Sequence, residues 1–241
     1  MSWQLPNAPL LGRVVIAEGV GLAVAVVVAW VVGPRIPVSG AYLTKSVAVF
    51  AAIAAIAIGH VSTHHPFPEF GAANIVTTIR AALVALTAAL VGEARVDAVA
   101  WAAATLGVIV IVLDGFDGWL ARRSAMCSPF GARYDLELDA LLIAVLAVIA
   151  WQHGKAGAWV VLAGALRYLF VAAGYLWRWL DAPLPESRRR KAICVVQIVG
   201  LGIVVAPSVS LPASVAVAVI TVTALAWSFG VDVLWLARHR T

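Results

Sequence analysis

Five of the twelve acidic residues in this 241-residue chain fall within 26 positions, between Asp114 and Asp139. Their spacing is helical. Residues i, i+3 and i+4 share a face, so Asp114, Asp117, Gly118 and Ala121 line one stripe if the segment is a helix. Gly131, Asp135 and Asp139 line a second stripe at one-turn intervals. Glu137 lies about 200° round from Asp135 and belongs to neither. Each stripe pairs two carboxylates with the smallest side chains, which leaves room for a ligand. Four carboxylates meeting near a membrane interface repel one another and lose hydration, and without a counter-charge some would take up protons. Two divalent cations would neutralise all four, and oxygen-only ligands favour Mg²⁺ or Mn²⁺ over zinc. Paired cations bridged by carboxylates are the usual apparatus of phosphoryl transfer. The plainer reading, solvated acids at helix ends, accounts for one Asp better than for four in two facing stripes.

The elements that carry these stripes follow from composition. The chain is 63% apolar and 12% charged, about half the charged fraction of a soluble domain. Forty consecutive residues, 192–231, carry no charge, and a hydrocarbon core takes ~20 helical residues to cross. The apolar runs are solid rather than alternating, which excludes a β-barrel. The expectation is an all-α, polytopic transmembrane bundle of about eight spans, near 13–32, 43–60, 73–91, 98–113, 134–152, 157–180, 192–207 and 212–236. Pro34, Pro66, Pro68, Pro183, Pro185, Pro207 and Pro212 punctuate them. Cys127 and Cys194 show no disulfide or metal spacing. The net charge of +5 is spread between apolar runs, as topology signals are, and implies membrane lipids rather than nucleic acid as partners. With both termini inside, eleven Lys/Arg fall on the cytoplasmic side and four outside. The loop 114–134 is thereby expected in the cytoplasm and the chain in the cell membrane (inner or plasma), multi-pass.

The run Asp114-x2-Asp117-Gly118-x2-Ala121-Arg122-x8-Gly131-x3-Asp135-x3-Asp139 resembles the full signature of the CDP-alcohol phosphotransferase (CDP-alcohol phosphatidyltransferase) family. The resemblance implies a six-helix core over residues 67–241 and two extra N-terminal transmembrane helices in 1–66. It implies two Mg²⁺ (or Mn²⁺) ions, Asp114 and Asp135 bridging both, Asp117 holding the first and Asp139 the second. Asp139 would also be the general base. Gly118 and Ala121 would let a cytidine nucleotide lie against the helix, Arg122 would contact its phosphates, and Ser128 and Gly131 belong to the same nucleotide site. Asn74-x2-Thr77-x2-Arg80 resembles a polar element of the family's first core helix, with a nucleotide or phosphate contact implied; an Arg six residues into a span is costly unless paired. The implied reaction passes a phosphatidyl group from a CDP-linked lipid donor, expected to be CDP-diacylglycerol, to a small polar alcohol, with release of CMP. A homodimer is implied as well.

The cluster Arg188, Arg189, Arg190 and Lys191 reads either as a topology determinant or as an anion site for the lipid diphosphate or a phosphorylated acceptor. Arg133 is expected to face lipid headgroups. His60, His64 and His65 suit either a metal pair or an inter-span loop. Two other functions compete. Intramembrane prenyltransferases also bind Mg²⁺-diphosphate through Asp-rich motifs, but those lie far apart and lack the Gly118/Ala121/Arg122 spacer. A cation or proton transporter would spread its acids through the bilayer depth.

Overall fold

The computed structural model describes residues 8–67, 69–124, 128–185 and 187–239, with the side chains of 8, 62–64, 121, 122 and 124 outside that description. Among the described residues there are eight α-helices and no strand: α1 Ala8–Val32, α2 Tyr42–His64, α3 Ala72–Ala89, α4 Asp97–Ser124, α5 Pro129–Gln152, α6 Leu162–Leu176, α7 Arg188–Val205 and α8 Leu211–Arg238. Each expected span corresponds to one of them. Six are long and apolar enough to cross a membrane, so the chain is a multi-pass membrane protein. The other two, α5 and α7, carry their charges in the first turns.

Two helices run further than their apolar stretches suggest. The fourth span was expected to end near 113, yet α4 continues to Ser124, so Asp114, Asp117 and Gly118 stand on unbroken helix. The fifth starts at Pro129 instead of 134. Ser128 caps it, its Oγ accepting from the Gly131 amide at 3.0 Å, and Pro129 fills the first turn, where no amide partner is needed. The sixth span is shorter than expected because single 3-10 turns at Ala158–Val161 and Arg178–Asp181 flank α6.

Helix α3 is the axis. Twelve of its eighteen residues are buried, and it packs against α1, α2, α4 and α5. On one side α1 and α2 close over it with Val14, Ala17, Phe50, Ala81, Ala85, Phe130 and Leu138. On the other, α4 and α5 join α7 and α8 in a larger cluster that includes Leu86, Ala103, Leu142, Leu146, Leu201 and Ala218. Small residues bring these helices close, the usual device where lipid supplies no hydrophobic drive. A Cβ on Gly200 of α7 would meet Thr221 of α8 at 2.4 Å, and one on Gly164 of α6 would meet the Ala144 backbone of α5 at 2.4 Å.

Register sets the level of the acids. At ~1.5 Å per residue, Asp114 comes about 26 Å along α4, near the far edge of a ~30 Å hydrocarbon core. Arg80 lies about 12 Å into α3, and Asp135 and Asp139 about 9 and 15 Å into α5. With α4 antiparallel to α3 and α5, these residues come to one depth, close to one end of the bundle.

The other end is latched. Glu93, between α3 and α4, takes the Ser39 amide at 2.6 Å, the Ser39 hydroxyl at 2.9 Å and the Lys45 ammonium. Gln152 ties the end of α5 to the same loop through Gly92 and the Glu93 carbonyl, both at 2.9 Å. Lys155 donates to the carbonyls of Ala206, Pro207 and Val209, satisfying the C-terminus of α7. A cavity of about 480 Å³ opens beside this latch, lined by Val91, Glu93, Arg95, Trp151 and Gln152, far from the acids.

Burial opposes ionisation of Glu93, but the Lys45 and Ser39 hydrogen bonds prevail and hold its carboxyl below the ordinary value of 4.5. A depressed folded pKa gives stability that is complete above that ordinary value and fades as pH falls through the folded one. Glu93→Gln is thus expected to lower the melting temperature at pH 7 and to flatten its fall on acidification. Thermal melts of detergent-solubilised protein between pH 3 and 7 measure both, and parallel curves for the two proteins would contradict the latch.

Candidate active site

The site is built on one buried cation. Arg80 of α3 has no exposed surface, and its guanidinium faces the aspartates of α4 and α5. Nη1 lies 3.0 Å from Asp114 Oδ1 and 2.7 Å from Asp117 Oδ2, and also pairs with Asp135; Nη2 lies 2.8 Å from Asp139 Oδ1. An Nη group carries only two hydrogens, so the three carboxylates on Nη1 share them. One positive charge answers four negative ones, and the remainder makes this a place for cations.

The four acids are not equivalent. Asp114, Asp135 and Asp139 each turn an oxygen inward so that the three oxygens lie within 4.8 Å of one another. That set, all carboxylate and partly open, fits a hard divalent cation. Asp117 stands outside the triad and is nearly sealed, its side chain 6% exposed. Besides Arg80 it accepts from the Thr77 hydroxyl at 3.1 Å. Asp139 is 15% exposed and turns its second oxygen to α7, where Cys194 Sγ lies 3.5 Å away.

The remaining residues singled out by the sequence fall into three groups. Asn74, Thr77 and Arg80 share the inner face of α3, as steps of three residues require. Thr77 and Arg80 reach the acids, whereas Asn74 donates to the Phe70 carbonyl at 2.5 Å. A Cβ on Gly131 would meet Asn74 Oδ1 at 2.8 Å, so Gly131 lets α5 approach α3 just outside the acids. Ser128 is buried as the cap of α5, with His65 Nδ1 3.2 Å from its hydroxyl. Gly118 follows Asp117 on α4 and is half-buried. The side chains of Ala121 and Arg122 lie outside the described residues, as does that of His64. His60 Nδ1 lies 2.8 Å from the carbonyl of Ile56, one turn back.

The basic cluster opening α7 divides. Arg189 donates to the Ser228 hydroxyl at 2.6 Å and to Asp232 at 2.5 Å; Arg190 reaches the same carboxylate at 3.3 Å. Arg188 and Lys191 are exposed. Lys191 stands three residues before Cys194, hence on the face of α7 that meets Asp139. On the flanks, Arg133 is exposed, and Glu137 turns away from the acids to pair with Arg167 of α6, as its position off both stripes implies.

Sequence reasoning missed Asp232, Cys194 and three buried polar groups around α1: Glu18, Thr78 and Tyr134. The available signal was a lone acid inside an apolar run, present at Glu18 and again at Asp232.

Residues 70–231 match the family described as CDP-alcohol phosphatidyltransferase, about two thirds of the chain. The chain belongs to this family. It is therefore a membrane-embedded transferase of substituted phosphate groups. No solved structure was found to match it.

Replacing Arg80 leaves four carboxylates facing one another without their counter-charge. Breaking a buried ion pair from one side costs about 3–5 kcal/mol. Arg80→Met should lose stability on that scale in chelator, measured by thermal or denaturant unfolding in detergent. Arg13→Met, whose partner Glu69 is 63% exposed, should change little. Equal effects of the two would remove Arg80 from its central position.

Proposed function

We propose that this transferase moves a phosphatidyl group from a CDP-linked lipid, CDP-diacylglycerol in the simplest case, to the hydroxyl of a small polar alcohol. The carrying observation is the convergence of three carboxylate oxygens from two helices with the Arg80 guanidinium at one end of a membrane bundle. Asp114, Asp117, Asp135 and Asp139 would hold two Mg²⁺ or Mn²⁺ ions, and the ions would offset charge on the donor diphosphate and on the departing CMP. The nucleotide lies along α4 at Gly118, Ala121 and Arg122, with Asn74, Thr77, Ser128 and Gly131 beside it.

Asp139 takes the proton of the acceptor hydroxyl. The alkoxide oxygen then bonds to the phosphorus distal to cytidine, and the anhydride bond to the proximal phosphate breaks to release CMP. Two features support Asp139 in that role. It is less sealed than Asp117, and among the described residues the hydrogen bond to its second oxygen comes from a weak thiol donor, which leaves a lone pair for a proton. The site is read as cytoplasmic because the basic residues concentrate at its end. Residues 67–241 form the catalytic unit of this reading, with 1–66 added to it.

EDTA should abolish CMP release by purified protein, and Mg²⁺ or Mn²⁺ should restore it; full activity after exhaustive chelation would sink the mechanism. Asp114→Asn and Asp135→Asn should be as damaging as chelation. Asp139→Asn should keep CDP-donor affinity within about tenfold while turnover falls at least ~10²-fold, the usual share of a positioned base.

The acceptor is read as a polyol or sugar phosphate, because Lys191 lies on the Asp139 face and its charge is not committed to Asp232. Radiolabelled CDP-diacylglycerol assayed against glycerol phosphate, inositol phosphate, serine and diacylglycerol identifies it by the lipid formed. For a phosphorylated acceptor, Lys191→Ala should raise acceptor KM about tenfold, the loss of one charge-assisted contact, and leave donor KM nearly unchanged. An unaltered acceptor KM would return the cluster to the positive-inside rule.

A further inference from the structure

Three polar side chains lie buried on the α1 side of α3 and take no part in the reaction derived above. Glu18 of α1 is 6% exposed, Thr78 of α3 is fully buried, and Tyr134 of α5 is 7% exposed. The Thr78 hydroxyl stands beside both the Glu18 carboxylate and the Tyr134 hydroxyl, and Tyr134 lies within electrostatic reach of both Glu18 and Arg80. Yet both Glu18 oxygens, Thr78 Oγ1, Tyr134 Oη and Arg80 Nε close no hydrogen bond. Such atoms are normally satisfied, by one another or through a bridging water, because leaving them bare is costly. Their burial is enforced by packing: a Cβ on Gly21, one turn after Glu18, would meet Thr78 Cγ2 at 2.8 Å and Phe50 at 2.6 Å. A carboxylate buried inside a membrane bundle calls for a reason.

Charge balance supplies one. Arg80 is fully buried and cannot carry its charge to water when cations take over the aspartates. Four carboxylates and two divalent cations cancel, which would leave the guanidinium as an uncompensated positive charge beside them. A fifth carboxylate removes that excess. We propose that Glu18, acting through Thr78 and Tyr134, is a positioning residue for Arg80: it draws and balances the guanidinium from the α1 side, so that divalent cations can occupy the aspartate cluster. Helix α1, which precedes the family match at residues 70–231, thereby becomes a working part of the site. The inference rests on the two-cation reading given under Proposed function.

The test is Mn²⁺ binding to the full chain in nanodiscs, followed by the EPR signal of free Mn²⁺, with thermal melts of the metal-free proteins alongside. Glu18→Gln should weaken Mn²⁺ binding at least fivefold, because a unit charge acts over long range at low effective dielectric. Glu18→Asp should recover most of that loss. Tyr134→Phe, which keeps the Glu18 charge and removes the bridge, should weaken binding about threefold, and it carries the test alone if Glu18→Gln does not fold. Mn²⁺ affinity within twofold of the wild type in both variants, whatever their melting temperatures, would overturn the proposal. A loss in Glu18→Gln with none in Tyr134→Phe would also overturn it, since the charge would then act without the Tyr134 bridge. Absence of Mn²⁺ binding by the wild-type chain would instead bring down the two-cation reading, and this inference with it.

Discussion

A guanidinium with no exposed surface, set among four carboxylates, is the interaction on which the rest of the molecule depends. Neither partner is tolerable alone at that depth: the cation would be stranded in a low-dielectric bundle, and the acids would repel one another. Together they still do not balance. That imbalance separates this cluster from a structural salt bridge such as Lys45–Glu93, in which one charge meets one charge. A deficit of positive charge that is held open by packing suits divalent cations, which in the proposed reaction would in turn meet the donor's diphosphate.

Holding the deficit open is the task of the helices. α3 is the most buried of the candidate spans, and its small residues, Ala81, Ala82 and Ala85, let it serve as a spine against four neighbours. α4 and α5 must then deliver two acids each to the level of Arg80. The continuation of α4 to Ser124 and the early start of α5 at the Ser128 cap meet that demand, and Gly131 allows the close approach to Asn74. Electrostatic strain at this end is offset by the latch at the other, where Glu93, Gln152 and Lys155 join loops that are otherwise apart in the chain. The acidic end can therefore remain partly open while the bundle stays closed at the other.

What the sequence disclosed, and what it withheld, divides by the range of the interaction. The spans were legible because solid apolar runs and Pro/Gly punctuation are local signals. So were the acidic stripes, since i, i+3 and i+4 periodicity needs only one helix at a time. Arg80 could be recognised as requiring a partner, but its partners lie 34 to 59 residues further along the chain, and no local pattern names them. The cluster Arg188–Lys191 looked uniform for the same reason. Only the fold reveals that Asp232, about forty residues later, occupies Arg189 and Arg190, while Lys191 stays exposed. Ser128 was singled out for a nucleotide; the structure adds a second employment as the cap of α5, held by His65.

The asymmetry between Asp117 and Asp139 gives the proposed reaction a direction. Asp117 is closed in by Arg80 and Thr77, so it can hold a cation but has little freedom to exchange a proton. Asp139 meets Arg80 with one oxygen and presents the other to α7, where the only described neighbour is a thiol at 3.5 Å, a weak donor. An alcohol entering along α7 would pass Lys191, then Cys194, one turn deeper, before its hydroxyl met that oxygen. The donor, laid along α4 on the far side of the guanidinium, would present its phosphorus from the opposite direction. Attack and departure would then lie on opposite sides of the cluster, as in-line displacement at phosphorus requires.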